Sequence, residues 1–194
     1  MDELKSILSS AKSTIERKIF FLGWLNRQLI ERGVNFLPIL VGGTAVAFYT
    51  SGNYATQDID LVYSVPRLDE VLLSIGFFKE GRYWVNEELD LLLECSGSEF
   101  LGRVTEVKLE NGDCVFVSSI EDMIIDRLNA HVLCKSAKDA QWARLMLESE
   151  NEEILLDWNY LRERAEAEEV VSALDTILKE IENGRNECDP DIGL

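Results

Sequence analysis

The chain has 194 residues, of which 46% are hydrophobic, and its 36 acidic and 19 basic residues give a formal net charge of −17 at pH 7. The length allows one domain with an extension or two small domains, and the negative charge argues against a nucleic-acid partner, because such proteins bind phosphates through Lys and Arg. No apolar run approaches the roughly 20 residues that cross a membrane, and the N-terminus lacks the basic start and apolar core of a signal peptide. We therefore predict a cytoplasmic protein without a membrane partner.

Residues 2–32 are predicted to form one long helix. Their apolar side chains recur at spacings near three and four, and Gly33 is a typical residue after a helix end. We therefore assign residues 1–34 to an N-terminal helix that packs its apolar face against the sheet that follows. A contact within a homodimer is the alternative use of the same face.

A Gly-Gly turn follows a short apolar run. Residues 37–41 are apolar and predict a buried strand, Gly42-Gly43-Thr44 comes next, and residues 45–49 have an apolar helical pattern. Glycine lets the backbone turn tightly and approach a phosphate closely, and a helix N-terminus offers free N–H groups with a partial positive charge. Thr44 can cap these N–H groups or donate its hydroxyl to a phosphate. The pattern therefore predicts a phosphate-binding turn.

The next strand carries two acidic residues, in the sequence Asp58-Ile59-Asp60-Leu61-Val62. Side chains at positions i and i+2 of a strand lie on the same face, so both carboxylates project from one face. Like charges this close repel each other, and their burial is costly without a cation. We therefore predict a divalent metal, Mg²⁺ or Mn²⁺, at Asp58 and Asp60, since Mg²⁺ takes carboxylate oxygens and keeps open positions for phosphates.

The following segments predict one helix and three further strands before the next hairpin. A helix is expected from about residue 67 to 75, a hairpin or two short strands over 77–85, and a buried strand over 89–94. Asp90 lies among leucines and shares the strand parity of Glu94. Both carboxylates are therefore expected on the face of that strand that points to the metal.

The remaining sequence predicts a hairpin and then only helices. Asn-Gly at 111–112 separates two alternating segments, which is a strong signal for a two-residue hairpin turn. Helical patterns follow over 118–184, with Ser136 and Asp139 forming a helix start, and residues 185–194 are expected to form a loose tail. The fold class is α+β: a small mixed sheet over residues 35–117 with helices packed on it, and a C-terminal helical group. A nucleotide is expected in the cleft between sheet and helices.

These motifs, in this order, resemble the nucleotidyltransferase superfamily, the fold shared by DNA polymerase beta and the antibiotic nucleotidyltransferases. Gly42-Gly43-Thr44 matches its Gly-Gly-Ser/Thr turn, Asp58-Ile59-Asp60 matches its Asp-x-Asp strand, and Asp90 is the best match for its third carboxylate. The resemblance covers roughly residues 37–147.

Two further motifs resemble the small bacterial nucleotidyltransferases related to antitoxins of abortive-infection and toxin–antitoxin systems. They are Thr56-Gln57-Asp58-Ile59-Asp60 and Glu121-Asp122-Met123-Ile124. Relatives often have Arg two residues before that Thr, where this chain has Tyr54. The substitution removes a cation that could contact a phosphate.

The resemblance implies a metal-dependent transfer of a nucleoside monophosphate from a nucleoside triphosphate to an acceptor hydroxyl, with release of pyrophosphate. Asp58, Asp60 and Asp90 are the implied metal ligands and catalytic residues, with Asp90 as general base and Glu94 as the alternative close to it. The acceptor is a small molecule, a protein side chain or an RNA end, and the acidic surface disfavours RNA. The implied nucleotide-binding residues are Gly42, Gly43, Thr44, Thr56 and Lys138.

The alternative is a catalytically inactive, antitoxin-like or regulatory protein that keeps the fold in order to bind a toxin-like protein partner. The complete set of Asp58, Asp60 and Asp90 favours the enzyme, whereas Tyr54 at the Arg position favours the inactive protein. Metal-dependent nucleotide binding distinguishes the two hypotheses.

Overall fold

Two units, the first from Met1 to Ser119 and the second beginning at Ile120, make up this chain in a computed structural model. The structure describes residues 1–62, 65–96, 100–149 and 155–187. Residues 188–194 of the expected tail lie outside the described residues, and the backbone of residues 185–187 continues the last helix. No helix in the described ranges combines the length and the apolar character needed to cross a membrane.

The N-terminal segment forms two helices, so the prediction of one helix over residues 2–32 is wrong. Helix α1 spans Asp2–Ser9 and helix α2 spans Thr14–Glu31. Ser13 between them has an extended backbone, with φ −145°, and its side chain accepts the N–H of Glu16 at 3.1 Å. This is an N-cap, which starts a new helix at that point. The sequence carries its signature, Ser-x-x-Glu, at 13–16.

The first unit is built around a mixed sheet in which seven strands pair among the described residues. The strands are β1 Ile39–Val41, β2 Asp58–Val62, β3 Phe78–Glu80, β4 Tyr83–Asn86, β5 Leu91–Ser96, β6 Val104–Lys108 and β7 Cys114–Ser118. Their order in the sheet is β3-β4-β5-β2-β1-β7-β6. Strand β1 is parallel to β7, β2 is parallel to β5, and the other neighbours are antiparallel. The predicted α+β fold class is confirmed.

Two helices connect neighbouring parts of this sheet. Helix α3, Gly42–Tyr49, follows β1 directly, and helix α4, Leu68–Ser74, lies between β2 and β3. The predicted hairpins are also present: β3 pairs with β4, and β6 pairs with β7 across the Asn-Gly turn. Helix α2 packs on β7, α3 and α4, so this helix packs against the sheet unit, as its apolar pattern predicts.

The second unit is helical. It contains helices α5 Ile120–Cys134, α6 Ala137–Glu148, α7 Trp158–Ala167 and α8 Val171–Glu187. Ser136 caps α6 by accepting the N–H of Asp139, as predicted. Asp122 of α5 is buried and accepts hydrogen bonds from Tyr160 and Arg164 of α7. Glu121 accepts the backbone N–H of Asp157, the N-cap of α7, at 2.7 Å, so the acidic pair at 121–122 joins α5 to α7.

Candidate active site

The turn from β1 into α3 is built directly against Asp60 of β2. Strand pairing sets Val41 opposite Asp60, and Gly42 takes a left-handed backbone with φ +62°. A Cβ atom on Gly42 would lie 2.1 Å from Oδ2 of Asp60. The next residue, Gly43, donates its backbone N–H to the Asp60 carboxylate. The absence of side chains at the Gly-Gly sequence thus lets the backbone at the N-terminus of α3 contact this carboxylate directly.

Three carboxylates meet beside this turn. Asp58 and Asp60 project from one face of β2, as predicted, and Glu94 of the parallel strand β5 is the register partner of Asp60. One oxygen from each lies within 4.8 Å of the others. Among the described residues, these three carboxylates form the group of Asp, Glu, Cys or His side chains that lie close enough together to share a metal ion.

Asp90 is not part of this cluster, and the prediction that it lies on the strand is wrong, whereas its role as a metal ligand stays a prediction. Strand β5 begins at Leu91, and Asp90 is exposed in the preceding turn with a left-handed φ of +49°. Arg17 of α2 fixes that turn by donating to the carbonyl of Leu89 at 2.9 Å. Glu94, the alternative that shares its strand parity, occupies the position that the sequence predicted for Asp90.

Neighbouring groups neutralise only part of the negative charge of these three carboxylates. Burial, and then the negative charge of Asp58, raise the pKa of the Asp60 carboxyl, while the Gly43 N–H and Lys18 lower it. A set of carboxylate oxygens is the donor set that Mg²⁺ and Mn²⁺ prefer. A divalent cation would relieve the repulsion that raises this pKa, so the residues present fit such an ion.

Lys18 of α2 is a part of the site that the sequence did not reveal. Its side chain is only 4% exposed, and Nζ donates to the carbonyl of Thr56 at 2.9 Å and to that of Asp58 at 3.1 Å. Burial lowers the pKa of this ammonium, and the charges of Asp58, Asp60 and Asp90 oppose that shift. Lys18 therefore fixes the backbone of β2 behind the carboxylates and adds a buried positive charge.

The two threonines of the motifs have different positions. Thr44 is fully buried, and its hydroxyl donates to the carbonyl of Asp58 at 2.6 Å. It thereby joins α3 to β2, and its contact with a phosphate stays a prediction. Thr56 is partly exposed, and its hydroxyl donates to Oδ1 of Asp58 at 2.6 Å. It therefore orients a carboxylate of the cluster.

Two cavities share Thr14, Lys18 and Thr56 as lining residues. One, of about 500 Å³, also includes Tyr54, and the other, of about 400 Å³, includes Asp90. Both have the size of a small-molecule site. Lys138 lies in the first turn of α6, in the second unit, and its contact with a phosphate stays a prediction.

Lys18→Met should destabilise the protein by about 2 kcal/mol, because the carbonyl oxygens of Thr56 and Asp58 lose a charged donor inside the protein. Urea denaturation measures the change in the free energy of unfolding. Lys12→Met, at an exposed lysine, is the matched control and should leave stability within about 0.5 kcal/mol of wild type. Equal stability of the two variants would contradict the role of Lys18.

Thr56→Val should weaken the binding of Mn²⁺ about tenfold while it changes thermal stability little. Valine has the shape of threonine but cannot donate to Asp58, and the loss of a hydrogen bond to a metal ligand typically has this effect on affinity. Calorimetric titration of Mn²⁺ measures the affinity. Thr105→Val, at an exposed residue of β6, is the control; a Thr56→Val variant that binds Mn²⁺ as Thr105→Val does would argue against an orienting role.

Comparison with solved structures identifies this arrangement of strands. An antigenic nucleotidyltransferase-like protein from Paracoccidioides brasiliensis superimposes with a TM-score of 0.50 and 16% sequence identity, over 92% of this chain and 93% of that one. This chain has a nucleotidyltransferase-like fold. The antibiotic-resistance factor ANT(2'')-Ia is also similar, with a TM-score of 0.47 and 18% identity, over 88% of this chain and 97% of that one. No protein-family model and no curated protein matches the sequence.

The nucleotidyltransferase-like fold confirms the resemblance that the motifs suggested at the level of architecture. At 16% identity, the match with TM-score 0.50 establishes the arrangement of the chain. The chemistry must therefore be argued from Asp58, Asp60, Glu94 and the turn at Gly42.

Proposed function

We propose that this protein is a divalent-metal-dependent nucleotidyltransferase, which transfers a nucleoside monophosphate from a nucleoside triphosphate to an acceptor hydroxyl and releases pyrophosphate. The observation that carries the proposal is the cluster of Asp58, Asp60 and Glu94, within 4.8 Å of one another, next to a Gly-Gly turn that opens a helix. Carboxylates of this kind hold divalent cations, and a helix N-terminus attracts phosphate. A nucleoside triphosphate with its metal ion needs a site for the cation and a site for the phosphates.

Asp58, Asp60 and Glu94 would hold Mg²⁺ or Mn²⁺, which supplies charge neutralisation for the reacting phosphates. Gly42 and Gly43 let the N-terminus of α3 lie against the Asp60 carboxylate, which accepts the Gly43 N–H and is thereby held in position for the metal. Thr56 and Lys18 hold the first strand residues in place through Asp58. The contribution of the chain is then mainly positioning and electrostatic stabilisation.

Glu94 takes the role of general base in this proposal. It accepts the proton of the acceptor hydroxyl as the hydroxyl oxygen attacks the α-phosphorus. The bond from the α-phosphorus to the bridging oxygen breaks on the opposite side, and pyrophosphate leaves with that electron pair. We place the acceptor among small molecules or protein side chains, because the net charge of −17 disfavours RNA, and we keep a cytoplasmic location as part of the proposal.

The buried hydroxyl of Thr44 favours a second candidate function. It is committed to the carbonyl of Asp58 and so cannot contact a phosphate in this conformation, and Tyr54 supplies no cation. A protein that keeps the nucleotidyltransferase-like fold as an antitoxin-like or regulatory module would tolerate both features. Such a protein would bind a protein partner and need no nucleotide.

Calorimetric titration of ATP, GTP, CTP and UTP, with and without Mg²⁺, tests the proposal on four proteins. They are wild type, the Asp58→Ala/Asp60→Ala variant, Glu94→Ala and Asp90→Ala. We expect wild type and Asp90→Ala to bind one of the triphosphates only with Mg²⁺, and the other two variants to lose that binding.

The pair Glu94→Ala and Asp90→Ala is matched, because each removes one carboxylate from the segment around β5 and only Glu94 lies in the cluster. The nucleotide that binds then identifies the base for acceptor screens, in which released pyrophosphate is measured. Absence of binding by wild type to every triphosphate would exclude the enzyme and favour the protein-binding module.

A further inference from the structure

The turn between β3 and β4 places an arginine over the third carboxylate of the site. Strand β4 pairs with β5 so that Tyr83 is opposite Glu94, and Arg82 lies one residue before it. The Nε atom of Arg82 lies 3.3 Å from Oε2 of Glu94. Its side chain is 68% exposed, against 24% for Glu94, so the cation is on the solvent side of the cluster.

The guanidinium is also held by Tyr83. Nη2 of Arg82 donates to the Tyr83 hydroxyl at 2.6 Å, and the guanidinium carbon lies 4.9 Å from the centre of the Tyr83 ring. A planar guanidinium suits such stacking and still has N–H groups left to donate. Arg82 is therefore oriented by an aromatic neighbour, yet it can move because most of its side chain is in solvent.

Arg82 and a divalent cation would compete for the same carboxylate. Without a metal, the arginine neutralises part of a cluster of three carboxylates. A metal on Glu94 takes over that charge, and two cations on one carboxylate repel each other. The displaced guanidinium would then be next to the metal, where a triphosphate brings several anionic oxygens. Arginine binds phosphate oxygens in pairs, through its fork of N–H groups.

Lys18 cannot exchange a carboxylate partner for a phosphate in this way. It is buried and already donates to the carbonyl oxygens of Thr56 and Asp58. Arg82 is the exposed cation that the described structure places in contact with the cluster at Asp58, Asp60 and Glu94.

We propose that Arg82 is a substrate-binding residue that exchanges partners: it pairs with Glu94 in the metal-free protein, and it binds the polyphosphate of the nucleotide once a divalent cation has taken Glu94. The inference rests on the proposed function and names a residue that the sequence motifs do not include. It gives two consequences of opposite sign for a single substitution, which a simple surface ion pair would not give.

The test compares Arg82→Gln with Lys79→Gln and wild type. Lys79 lies on the same hairpin, with its ammonium over the Trp84 ring and 5.3 Å from the ring centre, so its substitution removes the same charge without touching Glu94. Titration of Mn²⁺, followed by the electron paramagnetic resonance signal of the free ion, measures metal affinity without nucleotide. Calorimetry with Mg²⁺ and the triphosphate that wild type prefers measures nucleotide affinity.

We expect Arg82→Gln to bind Mn²⁺ about three- to fivefold more tightly than wild type, because the metal no longer displaces an ion pair. The same variant should bind the nucleotide with Mg²⁺ at least about tenfold more weakly, because charged hydrogen bonds to phosphate are lost. Lys79→Gln should match wild type in both. Thermal unfolding of all three proteins verifies that each is folded.

Two results would overturn the inference while the proposed function stands. One is an Mn²⁺ affinity of Arg82→Gln equal to that of Lys79→Gln, and the other is an unchanged nucleotide affinity of Arg82→Gln, in each case with wild type binding metal and nucleotide through Asp58 and Asp60. A wild-type protein that binds no Mn²⁺ would overturn both the inference and the proposed function. That case is recognised because wild type and Asp58→Ala/Asp60→Ala then give the same titration, whereas in the first two cases they differ.

Discussion

Replacing Asp60 by Asn is expected to stabilise the metal-free protein and to abolish its binding of a divalent cation. Burial and the neighbouring charge of Asp58 raise the pKa of the Asp60 carboxyl, so the ionised form is disfavoured in the folded chain. Asparagine keeps an oxygen that can accept the Gly43 N–H but carries no charge. The free energy of unfolding at pH 7 without metal should therefore rise by about 1 kcal/mol, or roughly 2–4 °C in Tm.

The pH dependence of this effect has a definite sign. Because the pKa of Asp60 is higher in the folded than in the unfolded chain, the folded state binds more protons between the two values. The contribution of Asp60 to stability is complete below the unfolded value, about 3.9, and is lost as the pH rises through the folded pKa. The advantage of Asp60→Asn over wild type should therefore grow from acid to neutral pH.

Thermal unfolding in EDTA and in excess Mn²⁺ measures both parts of this prediction. Wild type should gain about 2.7 kcal/mol when Mn²⁺ is present at 100 times its Kd, whereas Asp60→Asn should gain nothing, so the order of the two Tm values reverses. Asp90→Asn is the control, since Asp90 is exposed and outside the cluster, and should follow wild type. An Asp60→Asn variant less stable than wild type in EDTA at pH 7 would mean that Asp60 stabilises the fold.

The parts of the site that are local in sequence were predictable. The Gly-Gly turn, the two carboxylates of β2 and the Asn-Gly hairpin each depend on residues within a few positions of one another, and the period of a strand decides which face Asp58 and Asp60 share. The choice between Asp90 and Glu94 was not of this kind. Both have the same parity, and only the left-handed turn at Asp90, held by Arg17 from α2, starts the strand at Leu91, two residues later than predicted.

Lys18 could not be recognised for a related reason. A single lysine in an apolar helical pattern carries no sign of its partners, which lie 38 and 40 positions further along the chain. Arg82 was likewise one charged residue in a predicted hairpin, and its contact with Glu94 follows from the pairing of β4 with β5. The break between α1 and α2 differs from these cases, because the Ser-x-x-Glu signal at 13–16 was present locally.

Gly42→Ala should destabilise the protein by about 3 kcal/mol or more and weaken the binding of Mn²⁺ at least tenfold. Part of the loss comes from the backbone, because a left-handed φ of +62° costs a non-glycine residue about 1–2 kcal/mol. The rest is steric. The new Cβ would lie 2.1, 2.8 and 2.9 Å from Oδ2, Cγ and Cβ of Asp60, so the carboxylate must move out of the cluster, and crowding of this kind costs about 1–3 kcal/mol.

Gly33→Ala separates the two terms. Gly33 also has a positive φ, +78°, but nothing lies within 4 Å of its Cβ position, so its substitution should show the backbone penalty alone and leave Mn²⁺ affinity unchanged. Urea denaturation and Mn²⁺ calorimetry on the two variants give the comparison.

A double-mutant cycle with Asp60→Ala then tests the steric term directly. Alanine at 60 removes the Oδ2 and Cγ atoms that the new side chain meets, so the cost of Gly42→Ala in that background should fall toward the cost of Gly33→Ala. The contact with Cβ of residue 60 at 2.9 Å remains in both backgrounds, so a cost of Gly42→Ala that is the same with Asp and with Ala at position 60 would show that the carboxylate of Asp60 is not what excludes a side chain here. A smaller cost would show that the close approach of Gly42 to Asp60 is what excludes a side chain at this turn.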